Sequence, residues 1–205
     1  MKIKKIIAVV SACTILAGSS VISFAGTDYS PWNSQVTYPS DVMGTELLAP
    51  VKSLMDRKII TGDTDGLFHP EKSINRAEFA TMMAKATNNT SNLAAMEKKN
   101  TFSDLDGYTW AKGYINACAD VKLIEGVGNS KFMPGKDVTY AEVITVIIRT
   151  NDGSDSMASA LGTWPDNYIK YATMYNMLGS MTIKDWNAPA TKGDVAKLMY
   201  RNMPK

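Results

Sequence analysis

The chain has 205 residues, with 22 basic and 20 acidic side chains, a single histidine and two cysteines. A balance this close to neutral excludes the basic face that a nucleic-acid protein needs to displace counterions from phosphates. So few histidines and cysteines supply neither a metal cluster nor a disulfide framework.

The first residues read as an export signal. Lys2, Lys4 and Lys5 form a positive n-region, Ile6 to Ala17 is almost unbroken apolar sequence, and Ser23-Phe24-Ala25 offers small residues at the two positions a signal peptidase inspects. Residues 1–25 are therefore expected to be a signal peptide, too short and too soon followed by Gly and Ser to span a membrane stably. Val10-Ser11-Ala12-Cys13 has the outline of a lipoprotein box, but the apolar run before it is short and continues through Thr14-Ile15-Leu16-Ala17. Cleavage after Ala25 removes three lysines and no acid, leaving 19 basic against 20 acidic residues and only Cys118. No intramolecular disulfide is then possible. Cys118 lies in the helical run Ile115 to Ala119 and reads as a small buried apolar residue.

After an N-terminal arm at 26–37 the sequence falls into three copies of one unit, at 38–87, 100–150 and 160–205. Gly62 and Gly126, Phe68 and Phe132, and Pro70 and Pro134 are each 64 residues apart, as are Ile74 to Phe79 and Val138 to Val143. Trp110-Ala111-Lys112-Gly113-Tyr114-Ile115 returns 54 residues on as Trp164 to Ile169, and Thr139 to Val143 returns 52 residues on as Thr191 to Val195. The third copy is thus trimmed in its middle loop, and Glu46 stands in the first copy where the Trp would be.

Each copy opens with an amphipathic helix. In the middle copy Ala111, Tyr114, Ile115, Cys118, Val121 and Leu123 or Ile124 fall three or four residues apart, and a Gly/Asp/Asn turn ends the helix. Phe68 or Phe132, followed one residue later by Pro, predicts a short extended segment with a buried aromatic plug. A second helix then begins at a capping box, Asn75 with Glu78 or Thr139 with Glu142, with Thr191 and Asp194 as a shorter variant. Its apolar face is Phe79, Met82 and Met83; Val143, Ile144, Val146 and Ile147; or Val195, Leu198 and Met199. One such unit cannot bury its own apolar face, so neighbouring copies should pack together. Thr87 to Asn92 and Asn151 to Ser156 read as polar linkers.

Phe102-Ser103-Asp104, Trp110-Ala111, Tyr114-Ile115, Leu123-Ile124-Glu125-Gly126, Phe132-Met133-Pro134 and Thr139-Tyr140-Ala141-Glu142 together resemble the S-layer homology domain. Asn75-Arg76-Ala77-Glu78-Phe79-Ala80 is close to that family's signature, and the likeness runs from about residue 38 to 203. The resemblance implies a mainly α fold, in which three helix-loop-helix repeats form a pseudo-threefold domain around a central helical bundle. It implies a bacterial cell-wall protein that binds secondary cell-wall polysaccharide, often pyruvylated, or another peptidoglycan-linked polymer in grooves between copies. No cofactor or metal is expected, and a surface-protein partner stays open. The family's binding positions correspond to Arg76 and Lys192, Trp110 and Trp164, Asp104, and Gly62 and Gly126.

Those residue types suit the task. A guanidinium grips a carboxylate in a bidentate way, and Arg76 sits at a helix N-terminus where free N–H groups would favour the same anion. Trp offers a flat face to a sugar ring, and Gly admits a ligand close to the backbone. Each also has a plain structural use. Arg76 could be a solvated first-turn residue, Trp110 and Trp164 core aromatics, Asp104 a helix cap, and Gly62 and Gly126 helix stops. Asp63-Thr64-Asp65-Gly66 lacks the closing acid of a calcium loop and reads as a turn, and His69 has no ligand partner nearby. Tyr140 takes the basic position of the middle copy, so at most two working grooves are expected. Two rival functions remain: a wall-glycan hydrolase drawing carboxylates from Glu78, Asp104 or Glu142, and a structural or protein-interaction module whose grooves have decayed.

Overall fold

A computed structural model describes residues 37–203. The expected signal peptide, with Cys13, and all but the last residue of the expected arm lie outside the described residues. The protein is mainly helical. After a 3-10 turn at Ser40–Val42 come α1 (Leu48–Asp56), α2 (Arg76–Ala86), α3 (Leu93–Lys98), α4 (Thr109–Asp120), α5 (Tyr140–Arg149), α6 (Ser154–Ser159), α7 (Asp166–Met174) and α8 (Lys192–Asn202). Among the described residues extended pairing is confined to isolated bridges.

The caps fall where the sequence places them. Asn75, Thr139 and Thr191 precede α2, α5 and α8, and each side chain accepts from the amide three residues on. Glu78 and Glu142 complete the box by accepting from the backbone N–H of Asn75 and Thr139. The residue before each cap is apolar and buried: Ile74, Val138 and Ala190. These three join in a closed ring of backbone hydrogen bonds. Ile74 N–H donates to Ala190 O (3.2 Å), Ala190 N–H to Val138 O (2.8 Å), and Val138 N–H to Ile74 O (3.0 Å).

The next two amides of each helix carry the ring outward. Arg76 and Ala77 donate to Lys136 O and Pro134 O, Tyr140 and Ala141 to Ala188 O and Trp186 O, and Lys192 and Gly193 to Lys72 O and Pro70 O. For α2 and α5 all four N–H groups that a helix start leaves without an internal partner are thereby satisfied. The packing follows the same order: α2 lies on α4, α5 on α7, and α8 on α1. All ten expected apolar residues of α2, α5 and α8 are buried, as are the plugs Phe68 and Phe132.

Three expectations need correction. Val121 is exposed, because α4 ends at Asp120 and the chain turns there. The second linker is not wholly loop: α6 starts inside it at Ser154, after Gly153 takes a left-handed conformation (φ 77°), and packs on α7. Likewise α3 forms just past the first linker and packs on α4. It approaches closely because Gly113 has no side chain, a Cβ there meeting Glu97 Cγ at 3.0 Å. Asn116 Nδ2 then donates to Met96 O and Lys99 O. The residue between each Phe and Pro is not extended either. His69 and Met133 have φ of 55° and 57°, the left-handed region. That turn aims successive amides at one carboxylate, Asp41 for Phe68 and His69 and Asp104 for Phe132 and Met133.

Cys118 is buried in α4, where desolvation pushes its thiol up to about 12. A thiol so held stays protonated and behaves as a small apolar residue. Replacing Thr139 by Ala leaves the Glu142 amide without its acceptor, so T139A should lower stability by about 1 kcal/mol. Urea denaturation checks this, with a lower midpoint at unchanged slope expected.

Candidate functional site

Two clefts lie between neighbouring copies, one along α2 and α4 and one along α5 and α7, and they are built alike. Trp110 in the first and Trp164 in the second are each 53% exposed at the rim, so neither is a core aromatic. Behind them stand Tyr114 or Tyr168, then Thr81 or Thr145, then Lys85 or Arg149. A second basic side chain in each cleft comes from the remaining copy. Lys192, at the start of α8, enters the first, and Arg76, at the start of α2, enters the second beside Gly126. This pairing follows from the hydrogen-bond ring and has no sequence signal.

The two cations are held differently. Arg76 is only 5% exposed. Its Nε donates to Phe132 O (2.9 Å), one terminal nitrogen to Glu142 Oε1 (3.0 Å) and the other to Glu125 O (2.8 Å). Its guanidinium also lies 4.7 Å from the Phe132 ring centroid. Burial lowers its pKa, with Glu142 opposing that shift. It is therefore neither a solvated surface residue nor a free fork. Nor are the amides beside it available to an anion, since Lys136 O and Pro134 O already take them. Lys192 makes one ion pair, to Asp63 at 2.9 Å, and lies 5.6 Å from the Phe68 ring. Nearby Lys85 has no ion pair among the described residues and lies 5.7 Å from the Tyr114 ring.

Asp104 lines neither cleft. Its carboxylate accepts from Phe132 N–H and Met133 N–H, both at 2.9 Å, and so closes the turn around the plug instead of capping the helix that follows it. Desolvation opposes its ionisation, but those two amides, its own backbone N–H and Lys131 together outweigh it and hold the carboxyl below its ordinary value. The glycines differ as well. A Cβ on Gly126 would sit 2.5 Å from Phe102 Cε1 and 2.6 Å from Lys131 O, so packing demands glycine there. A Cβ on Gly62 would make only ordinary contacts, 3.5 Å or more. Asp65 Oδ1 accepts from Leu67 N–H, and its Oδ2 meets His69 Nε2 at 2.7 Å, which is turn chemistry.

The third interface, between α8 and α1, has its own filling. Glu46 occupies the Trp position and pairs with Lys197 at 3.1 Å, while Lys197 also meets Asp194 at 3.0 Å. Tyr140, at the basic position, donates to Asp194 Oδ2 at 2.6 Å. Desolvation penalises the Asp194 charge, but Tyr140 and Lys197 outweigh it and lower its pKa. Here the protein supplies its own hydrogen-bonding partners to the space between copies.

Residues 45–80 and 101–144, which carry these elements of the first two copies, match the S-layer homology domain. The chain is 27% identical over 186 residues to the middle cell wall protein of Brevibacillus brevis, covering 91% of this chain and 17% of that protein. With the cellulosome-anchoring protein of Acetivibrio thermocellus it shares 32% over 121 residues, 54% of this chain and 27% of that protein. It also resembles an endoglucanase of a Bacillus species, 28% identical over 152 residues, 73% of this chain and 16% of the enzyme. The chain thus spans roughly a quarter or less of each relative's length. The match to that domain and to cell-wall and surface relatives marks it as a protein of the cell surface. No helix among the described residues is long and apolar enough to cross a membrane.

Two outcomes follow from this geometry. Gly126→Ala should cost about 1–3 kcal/mol, since backbone and ring must both move. Gly62→Ala should stay within about 0.5 kcal/mol, and thermal melts compare the two. Asp104 has a folded pKa below its unfolded one, so its stabilisation is present above the unfolded value and lost as pH falls through the folded value. Stability should therefore drop below about pH 4, and Asp104→Asn should flatten that drop in a pH series of urea melts.

Proposed function

We propose that the chain holds non-covalently to the cell wall by binding an acidic secondary wall polysaccharide in the cleft between α2 and α4. The observation that carries this reading is the exposed face of Trp110 beside two ammonium groups, Lys192 and Lys85. An indole face stacks on the apolar side of a sugar ring, and an ammonium attracts a carboxylate such as a ketal-linked pyruvate. Among the described residues Lys85 makes no ion pair, Glu78 in the same cleft is held in its capping box, and Lys192 has the partly exposed Asp63 to release. The copies act in this reading as one pseudo-threefold unit, each cleft assembled from all three. Relatives described as a cell wall protein and a cellulosome-anchoring protein fit the same role.

A structural or protein-interaction role is favoured at one place only, the α8–α1 interface, whose charges are paired internally. The hydrolase reading finds its three acids already engaged. Glu78 and Glu142 close capping boxes, Glu142 also pairs with Arg76, and Asp104 holds two amides. The endoglucanase relative is matched over only 16% of its length.

The test is co-sedimentation of the protein with purified wall sacculi before and after acid extraction of the secondary polymer. Arg76 is a poor probe, because its removal strands Glu142 and two carbonyls inside the protein. Trp110→Ala and Lys192→Met act at the cleft surface instead. Each should weaken binding about tenfold while the melting temperature changes little. Binding that survives extraction, or that both variants leave intact, would refute the proposal.

A further inference from the structure

Lys192 and Asp63 meet on the wall of the first cleft, the lysine Nζ lying 2.9 Å from Asp63 Oδ1 and 3.1 Å from Oδ2. The turn that carries Asp63 has no use for its carboxylate. Asp63 N–H donates to Leu67 O and Gly66 N–H to Asp63 O, so the backbone closes the turn by itself. The side-chain work there belongs to Asp65, which accepts from Leu67 N–H and meets His69. The second copy makes the same closure without an acid. Val127, 64 residues after Asp63, donates its N–H to Lys131 O at 2.8 Å, the distance also found between Asp63 and Leu67. Among the described residues Lys192 is the one hydrogen-bonding or ionic partner of the Asp63 carboxylate.

The acid that holds Arg76 is of another kind. Glu142 closes the capping box of α5, and its side chain is 19% exposed, so its removal would unfasten a helix start. The Asp63 side chain is 38% exposed. It stands between the first cleft and an outer hollow lined by Thr64, Asp65, His69 and Lys72. In that hollow Asp65 is engaged by Leu67 N–H and His69, while the Lys72 ammonium makes no ion pair among the described residues. Asp63 is thus dispensable to its turn, partly open to water, and bordered by a second cation on its far side.

We infer that Asp63 is a displaceable latch on the first cleft: its carboxylate holds Lys192, and the carboxylate of an acidic polymer takes its place. A neutral sugar leaves the latch closed, whereas an acidic one must open it. Asp63 is in this sense a specificity-determining residue, because it subtracts from the affinity for anions alone. The opposition amounts to one partly exposed ion pair, which an anion drawn also to Lys85 overcomes. This inference rests on the wall-polysaccharide reading and adds to it a control on how tightly the polymer is gripped.

The test measures the affinity of the protein for sacculi by co-sedimentation at one fixed salt concentration. The unaltered chain is compared with Asp63→Asn and with Asp63→Val, which gives the turn the side chain found at position 127. Both substitutions are also made in the Lys192→Met background. Each should tighten binding about three- to tenfold in the unaltered background, with little change in melting temperature. In the Lys192→Met background neither should change binding, since no ammonium is left to release. Equal tightening in both backgrounds would mark a general loss of negative charge and overturn the latch. So would unchanged or weaker binding by both Asp63 variants, provided the unaltered chain binds sacculi and loses that binding on acid extraction of the polymer. An unaltered chain that fails to bind, or whose binding survives extraction, would bring down the wall-polysaccharide reading and the latch with it.

Discussion

Ile74, Val138 and Ala190 each give one backbone N–H and one carbonyl to a ring that closes on itself, and the rest of the molecule is arranged around that ring. Each residue immediately precedes a cap, so the ring fixes where α2, α5 and α8 begin and which way they leave. It also fixes which side chain enters which cleft. Because Arg76 N–H is bound to Lys136 O, the Arg76 side chain lies along the Phe132 turn and reaches the cleft below Trp164. Lys192 N–H is bound to Lys72 O, which lays the lysine over Phe68 in the cleft below Trp110. Tyr140, bound to Ala188 O, brings a phenol where the others bring a cation.

Arginine and lysine at equivalent positions then meet different fates for reasons of hydrogen-bond capacity. A guanidinium has five donors in a fixed fork and can be buried if carbonyls and a carboxylate surround it. Arg76 finds that set in Phe132 O, Glu125 O and Glu142, and becomes part of the framework. A lysine has three donors on a flexible stem and is more strongly hydrated. Lys192 settles for one acid near the surface and keeps its availability. The residue that looks best suited to a carboxylate is thus the one the fold has already used.

Much of the fold was legible because its signals are local. A cap with its acid three residues on, an apolar face at helical spacing and a Phe held near a Pro all act within a few residues, and all three are found. What escaped depends on distance or on a missing side chain. The helix α3 could not be anticipated, since Gly113, whose bareness admits it, looks like any helical glycine. Asp104 reads in the sequence as a possible cap or ligand, because nothing in its neighbourhood shows that Phe132 and Met133, 28 and 29 residues on, present their amides to it. The burial of Arg76 has the same origin, since its partners lie 49 to 66 residues away. Of the candidate site, the Trp and basic positions are readable in the sequence, while their pairing across copies is not.

The backbone character of the ring explains how the third interface can differ so much without disturbing the other two. Its bonds involve only N–H and C=O groups, which every residue except proline supplies in full, so they persist whatever side chains stand at the clefts. At the α8–α1 interface the Trp position is Glu46, the basic position is Tyr140 and the Thr position is Lys197. Each change alone would leave a poor fit: a charged rim, a half-buried phenol or a stray ammonium. Together they satisfy one another, Tyr140 with Asp194, and Lys197 with Asp194 and Glu46. At this interface the side chains pair with one another, whereas the first cleft leaves Trp110 exposed. A framework held by its backbone can carry different chemistry at each interface: a lysine in a single ion pair at the first, an arginine locked among carbonyls and a carboxylate at the second, and a phenol and an ammonium sharing Asp194 at the third.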